Sequence, residues 1–210
     1  MKKKFNTIAV IGNSKKFIKV IKKKYTFKKI DIYEWRKIDK YSKIKKKYHL
    51  IFICGFDFSV FLSSKKMFIE KNIERPLNLI KKISNNNSKI IYINTKIRNN
   101  SRYTFSRYKY AKQKLAFLIS KNFKRYLILN TDLIFINNQI SINSGGLSKL
   151  IFRIFVFFDL IKTININNVF NDLSKKLNFK ICTKQINIVG YFLWLPRTQF
   201  IDRIARLIFG

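Results

Sequence analysis

Histidine occurs once in the 210 residues, as His49, and cysteine twice, as Cys54 and Cys182. So few soft ligands exclude a structural zinc site, and no metal is expected. The same scarcity excludes a disulfide framework, and a histidine-based triad would have to run through His49. Six glycines and two prolines are too few for a collagen-like or low-complexity chain. Long apolar runs are also missing. The most apolar stretch, Leu147 to Ile161, is interrupted by Lys149, Arg153 and Asp159, well short of the roughly 20 residues a membrane helix needs. Lys2, Lys3 and Lys4 precede only the short run Ile8 to Ile11, whereas a signal peptide needs about 7–15 apolar residues there. A cytoplasmic protein with reduced cysteines is expected.

What is present is apolar surface and positive charge. The chain is 47% hydrophobic, with 21 Phe and 10 Tyr, enough to fill the core of one domain. Its formal net charge is +35, which by itself would suggest a nucleic acid or an anionic membrane as partner. However, Lys, Ile, Asn and Phe together make up more than half of the sequence, and all four are encoded by A/T-rich codons. Arg, the better residue for bidentate phosphate contacts, numbers only 10. The charge is therefore assigned mainly to solvated faces, and neither nucleic acid nor membrane is expected as the partner.

Short β-type runs alternate with helical ones. Thr7–Ile11, Ile30–Tyr33, Leu50–Cys54, Lys89–Asn94 and Tyr126–Asn130 read as strands, several apolar throughout. Phe17–Lys24, Met67–Ser84 and Tyr108–Ser120 have helical spacing between them. This alternation predicts an α/β fold with a doubly wound, Rossmann-like parallel sheet covered on both faces. The core is expected over 1–136, and 137–210 forms a reduced C-terminal lobe of the same single domain. In such a fold ligands bind at the carboxyl ends of the strands. His49, Cys54, Cys182 and Trp194 are read as edge or packing residues.

The segment Tyr108-Lys109-Tyr110-Ala111-Lys112-Gln113-Lys114 carries the chemistry. Tyr and Lys four apart on a helix share one face. A phenol, with an ordinary pKa of about 10, becomes a better base beside an ammonium group, which favours the phenolate. A hydroxyl at a neighbouring strand end, such as Thr95, would complete a site that polarises a carbonyl or an alcohol. The spacing fits both Tyr108 with Lys112 and Tyr110 with Lys114.

In this order the features resemble the extended short-chain dehydrogenase/reductase family, the nucleotide-sugar epimerases and dehydratases. TIAVIGN resembles the first strand and dinucleotide turn, YHLIFICG a later strand ending at Gly55, and NIERPLNLI the helix that bears Asn72. KIIYINT resembles the strand ending in the catalytic Ser or Thr, and YAKQKLA the Tyr-x-x-x-Lys run, which selects Tyr110 and Lys114. The resemblance implies NAD or NADP as cofactor, a nucleotide-activated sugar as substrate, and pairing of two copies through helices. It further implies Thr95, Tyr110, Lys114 and Asn72 as catalytic residues, with Gly12, Asn13, Ser14, Asp31, Gly55 and Lys114 around the cofactor. Glu34 is a rival to Asp31 for the ribose. Arg98, Arg102 and Arg107 would grip the substrate diphosphate. The sequence departs from the family where Lys15, Lys16 and Lys19 stand near its later glycines, and where an Arg-Pro-x-x-x-Tyr-Gly segment is missing. Two rivals remain: a non-catalytic binding protein on the same scaffold, and a basic polyanion binder.

Overall fold

The structure, a computed structural model, describes residues 3–12, 15–60, 63–95, 103–104, 107–131, 133–136, 139–140, 163–165 and 191–192. The sequence's apolar runs become interior strands because they can be buried on both sides. Leu50–Ile53, the strand β3, has all four residues buried. Around it lie β1 (Lys3–Ile11), β2 (Tyr25–Tyr33), β4 (Lys89–Thr95) and, after the short β5 (Tyr103–Thr104), β6 (Tyr126–Thr131). They form one five-stranded sheet in the order β2-β1-β3-β4-β6, with every pairing parallel. The Rossmann-like, doubly wound expectation is met.

Alternate residues of each strand feed two cores. Ile8, Val10, Leu50, Phe52, Ile91 and Ile93 face helix α1 (Lys15–Lys24), whose Phe17, Ile18 and Ile21 close that side. Ala9, Ile11, Ile51, Ile53, Ile90 and Tyr92 face the other way. There they meet Leu77, Leu79, Ile80 and Ile83 of one helix, and Leu115, Ala116 and Ile119 of another. The chain leaves β1 toward β2 in one direction and crosses back over β1 to β3. The carboxyl ends of β1 and β3 are therefore the topological switch point, where a crevice opens.

The helices depart from expectation in one place. The single helix expected over Met67–Ser84 is three pieces: α2 (Lys65–Ile69), a π-turn over Glu70–Glu74, and α3 (Arg75–Ile83). Pro76 lies in the first turn of α3. It has no N–H to give to the carbonyl of Asn72 four residues earlier, which loosens the ladder at that point. Helix α4 (Arg107–Asn122) follows. Of the remaining segments, β7 (Leu133–Ile136) pairs with β8 (Gln139–Ile140) and β9 (Thr163–Asn165), while β10 (Tyr191–Phe192) pairs with β5. Among the described residues no helix is long and apolar enough to cross a membrane. No group of three His, Cys, Asp or Glu there could hold a metal ion.

Candidate functional site

The switch point is built on glycine. Gly12, one residue beyond β1, has φ +124°, a conformation that side-chain-bearing residues rarely adopt. Its N–H donates to the Tyr33 carbonyl over 2.8 Å, and the Cys54 N–H donates to Ile11 over 2.9 Å. A Cβ on Gly12 would lie 2.8 Å from the Gly55 nitrogen. Gly55 is bare for a different reason. A Cβ there would sit 2.1 Å from Cε3 of Trp35, whose buried indole lies against it. Asn13 and Ser14 fall outside the described residues.

Helix α4 places the pair that reaches this edge. Ala111, Lys112, Leu115, Ala116 and Ile119 form its buried stripe, so the helix turns Lys112 inward among apolar neighbours. The Lys112 side chain is carried to the carboxyl edge, where Nζ donates to the Ile93 carbonyl of β4 over 2.9 Å. It also lies 4.9 Å from the centre of the Tyr92 ring and 5.9 Å from that of Tyr108. Both rings present their faces to a cation. Burial disfavours the ammonium and pulls the Lys112 pKa down to about 8. Burial likewise pushes the Cys54 thiol, at the end of β3, up to about 12, with the Lys112 charge opposing it. Tyr108, one turn before Lys112, stacks on Phe58 at 5.7 Å and meets Phe56 edge-on at 4.8 Å.

Tyr110 and Lys114, the pair preferred from the sequence, are placed elsewhere. Tyr110 packs against the cluster of Val60, Phe68, Ile73 and Ala111, and burial raises its pKa. An ammonium neighbour would have the opposite effect. The Lys114 Nζ lies over the Phe117 ring at 5.8 Å. Two residues along a helix is about 200° of rotation, so the two Tyr-Lys pairs face different sides. The geometry that brings Lys and Tyr to the strand ends belongs to Tyr108 and Lys112.

Thr95 is the last residue of β4, two beyond the Ile93 carbonyl that holds Lys112. Asn72 is buried in the π-turn. Its amide oxygen accepts from the Asp57 N–H over 2.8 Å, and its nitrogen donates to the Asp57 carbonyl over 3.1 Å. It thus clamps the loop that follows β3. Arg107 starts α4 and donates to the Ser63 carbonyl over 3.2 Å, while Arg98 and Arg102 lie outside the described residues.

Asp31, the acid expected at the ribose, is already paired within the fold. It lies two residues inside the end of β2, where it accepts from Lys46 and, over 2.6 Å, from the Tyr48 hydroxyl. Tyr48 also lies 2.5 Å from the Tyr33 hydroxyl. The acid at the carboxyl edge is Glu34, just past β2, ion-paired with exposed Lys37 at 3.0 Å. Burial works to raise the Asp31 pKa, but Lys46 and Tyr48 outweigh it and hold it below 3.8. A carboxylate with a lowered folded-state pKa stabilises the fold above its ordinary value and loses that effect as pH falls. Asp31→Asn should therefore be less stable than the wild type at neutral pH, with the gap closing as pH falls below 3.8. Urea denaturation across that range checks this.

Neither a family model nor a curated protein matches the chain. Solved structures do. One is the dTDP-4-dehydrorhamnose reductase of Bacillus anthracis, in complex with NADP. It is 12% identical, with TM-score 0.51 over 99% of this chain and 81% of that one. Another is the L-threonine dehydrogenase of Phytophthora infestans, 9% identical, with TM-score 0.54 over 97% and 82%. At such identities the likeness is one of fold, and the fold is Rossmann-like.

Proposed function

We propose that the chain is a nicotinamide-dependent oxidoreductase of the extended short-chain dehydrogenase/reductase type. Its substrate is a carbonyl or secondary alcohol on a nucleotide-activated sugar. The observation that carries this reading is the buried Lys112 at the carboxyl edge between β3 and β4, with Tyr108 one turn before it. A lysine buried at an edge where this fold takes its ligands, with its pKa pulled down to about 8, is better explained by chemistry than by stability.

The residues fit a dinucleotide along most of its length. The turn at Gly12 leads into the amino end of α1, where helical N–H groups and Lys15 favour phosphates. Glu34 stands where the adenosine ribose would come. Lys112 and Tyr108 stand at the hydride end. When bound, the nicotinamide supplies or accepts the hydride. The chain's own part is proton transfer: the Tyr108 hydroxyl gives its proton to the substrate oxygen in reduction and takes it back in oxidation. Lys112, as ammonium, stabilises the Tyr108 phenolate, and Thr95 supplies a second donor to the same oxygen. Asn72 holds the Asp57 loop that borders the site.

Because Lys112 must be charged, kcat/KM should fall as pH rises through about 8, and Lys112→Arg should shift that limb upward. The test is to mix the protein with NADH or NADPH and a panel of dTDP- and UDP-linked keto-sugars while following nicotinamide absorbance. Turnover that disappears in Tyr108→Phe supports the reading, and turnover that survives in Tyr108→Phe refutes the role of that phenol. A scaffold that binds without catalysing, the rival favoured by the glycines missing after Gly12, would show no nicotinamide turnover with any of these sugars.

A further inference from the structure

Trp35 belongs to the buried cluster that includes Ile11, Tyr33 and Ile38, and it also reaches the switch point. It lies two residues beyond β2, yet its indole rests on Gly55, two residues beyond β3. Since β1 runs between those strands, the ring spans the switch point beside Gly12. Trp35 is 6% exposed, and its Nε1 is buried with no hydrogen-bond partner. A buried indole N–H without an acceptor carries a desolvation cost that burial elsewhere would not require.

The segment that carries the indole is anchored by buried Trp35 and Ile38 and tied further by ion pairs. Trp35–Tyr41 is a 3-10 stretch with a non-helical break at Lys37. Its ties to the rest of the fold include ion pairs of Arg36 with Asp57, and of Asp39 with Lys71 and Arg75. Arg36 and Asp39 are 65% and 52% exposed, whereas Asp57 is buried, so the Asp39 pairs are the weaker ties. Leaving Gly55 costs the ring its packing, but the segment is not part of the strand ladder.

We propose that Trp35 sets which nicotinamide ligands the site accepts: the indole fills the adenosine end of the crevice, and a dinucleotide binds by displacing it from Gly55. This rests on the oxidoreductase reading above. A dinucleotide crossing a doubly wound sheet puts its adenosine half at the end of β2 and its pyrophosphate at the first turn, which is where Trp35 and Gly12 lie. On this proposal the nicotinamide mononucleotide half, placed at Lys112, binds without displacing the indole.

The chain has two tryptophans, so Trp194→Phe leaves Trp35 as the sole reporter. Titration of that variant with NADH, NAD⁺, NADPH, NADP⁺ and ADP-ribose is expected to shift Trp35 emission to the red as the ring moves into water, whereas nicotinamide mononucleotide leaves it unchanged. In calorimetry, Trp35→Ala should bind whichever dinucleotide the wild type takes about tenfold more tightly, with affinity for the mononucleotide unaltered. Trp35→Phe keeps an aromatic ring in the core and should fall between the two. Saturable dinucleotide binding with unchanged Trp35 emission, or equal affinity in wild type, Trp35→Phe and Trp35→Ala, would overturn the gate and leave the oxidoreductase reading standing. Absence of dinucleotide binding in wild type and in both variants would overturn both.

Discussion

Lys112→Met is expected to lower kcat/KM by about 10²- to 10⁴-fold, the range of a lost acid–base contribution, without lowering the melting temperature. The two halves of that result have separate causes. Activity falls because the phenolate of Tyr108 loses the cation that stabilises it. Stability does not fall because the ammonium is a burden to the fold. A lysine whose pKa drops from 10.5 to about 8 on folding binds its proton less well in the native state than in the unfolded one. Stability therefore rises with pH between those two values, and below them the full cost is present. At about 1.4 kcal/mol per unit the cost at neutral pH is on the order of 3 kcal/mol. The bond from Nζ to the Ile93 carbonyl, which the variant loses, offsets about 1.5–3 kcal/mol of it. The variant's melting temperature should match or exceed the wild type's, and calorimetric scanning beside an activity assay reads both. A residue that only packed would lose stability and activity together. Lys114→Met, over the Phe117 ring, should alter neither greatly.

The second large effect concerns the two glycines of the switch point, which should respond differently to alanine. Gly12→Ala places a Cβ 2.8 Å from a backbone nitrogen, at φ +124°. Backbone strain of this kind costs about 1–3 kcal/mol, and the clash adds to it; because the clash is with backbone atoms, trimming a side chain would not relieve it. Gly55→Ala instead drives its Cβ into the Trp35 ring at 2.1 Å, an overpacking that costs about 1–3 kcal/mol. Because the offending atoms belong to a side chain, trimming that side chain removes the conflict. Gly55→Ala in a Trp35→Ala background should cost far less than in the wild type. Urea denaturation of the four-member cycle measures the coupling, expected at about 1–3 kcal/mol. Additive effects would mean that the indole does not lie on Gly55.

The sheet was largely legible in the sequence, because its strands are continuous β-branched or aromatic runs closed by turn residues. LIFIC before Gly55 and KIIYINT after Asn85-Asn86-Asn87 need no tertiary knowledge to be read as interior strands. The extent of β2 was less so. Tyr25–Lys29 carries exposed Lys28 and Lys29 on an edge strand and reads as polar until β1 is seen to run from Lys3 beside it.

The Tyr-Lys pair was half legible. Its segment contains two overlapping copies of the same spacing, and motif likeness selected Tyr110 and Lys114. The signal that separates the copies was present in Ala111, Leu115, Ala116 and Ile119. Those apolar positions define the buried stripe of α4, and Lys112 falls within the stripe while Lys114 falls beside it. The partners of Asp31 and the place of Trp35 were not legible. Lys46, Tyr48 and Gly55 lie 15, 17 and 20 positions from the residues they meet, and only the closed sheet brings them together.

The most direct test of the central claim, that Tyr108 and Lys112 mark the nicotinamide site, is a calorimetric titration. NADH and NADPH would be titrated into wild type, Lys112→Met and Lys114→Met at two salt concentrations. Saturable one-to-one binding is expected in the wild type and in Lys114→Met, persisting at the higher salt and weakened about tenfold or more in Lys112→Met. Binding that survives Lys112→Met intact and fails in Lys114→Met would contradict the claim, as would the absence of any binding in the wild type.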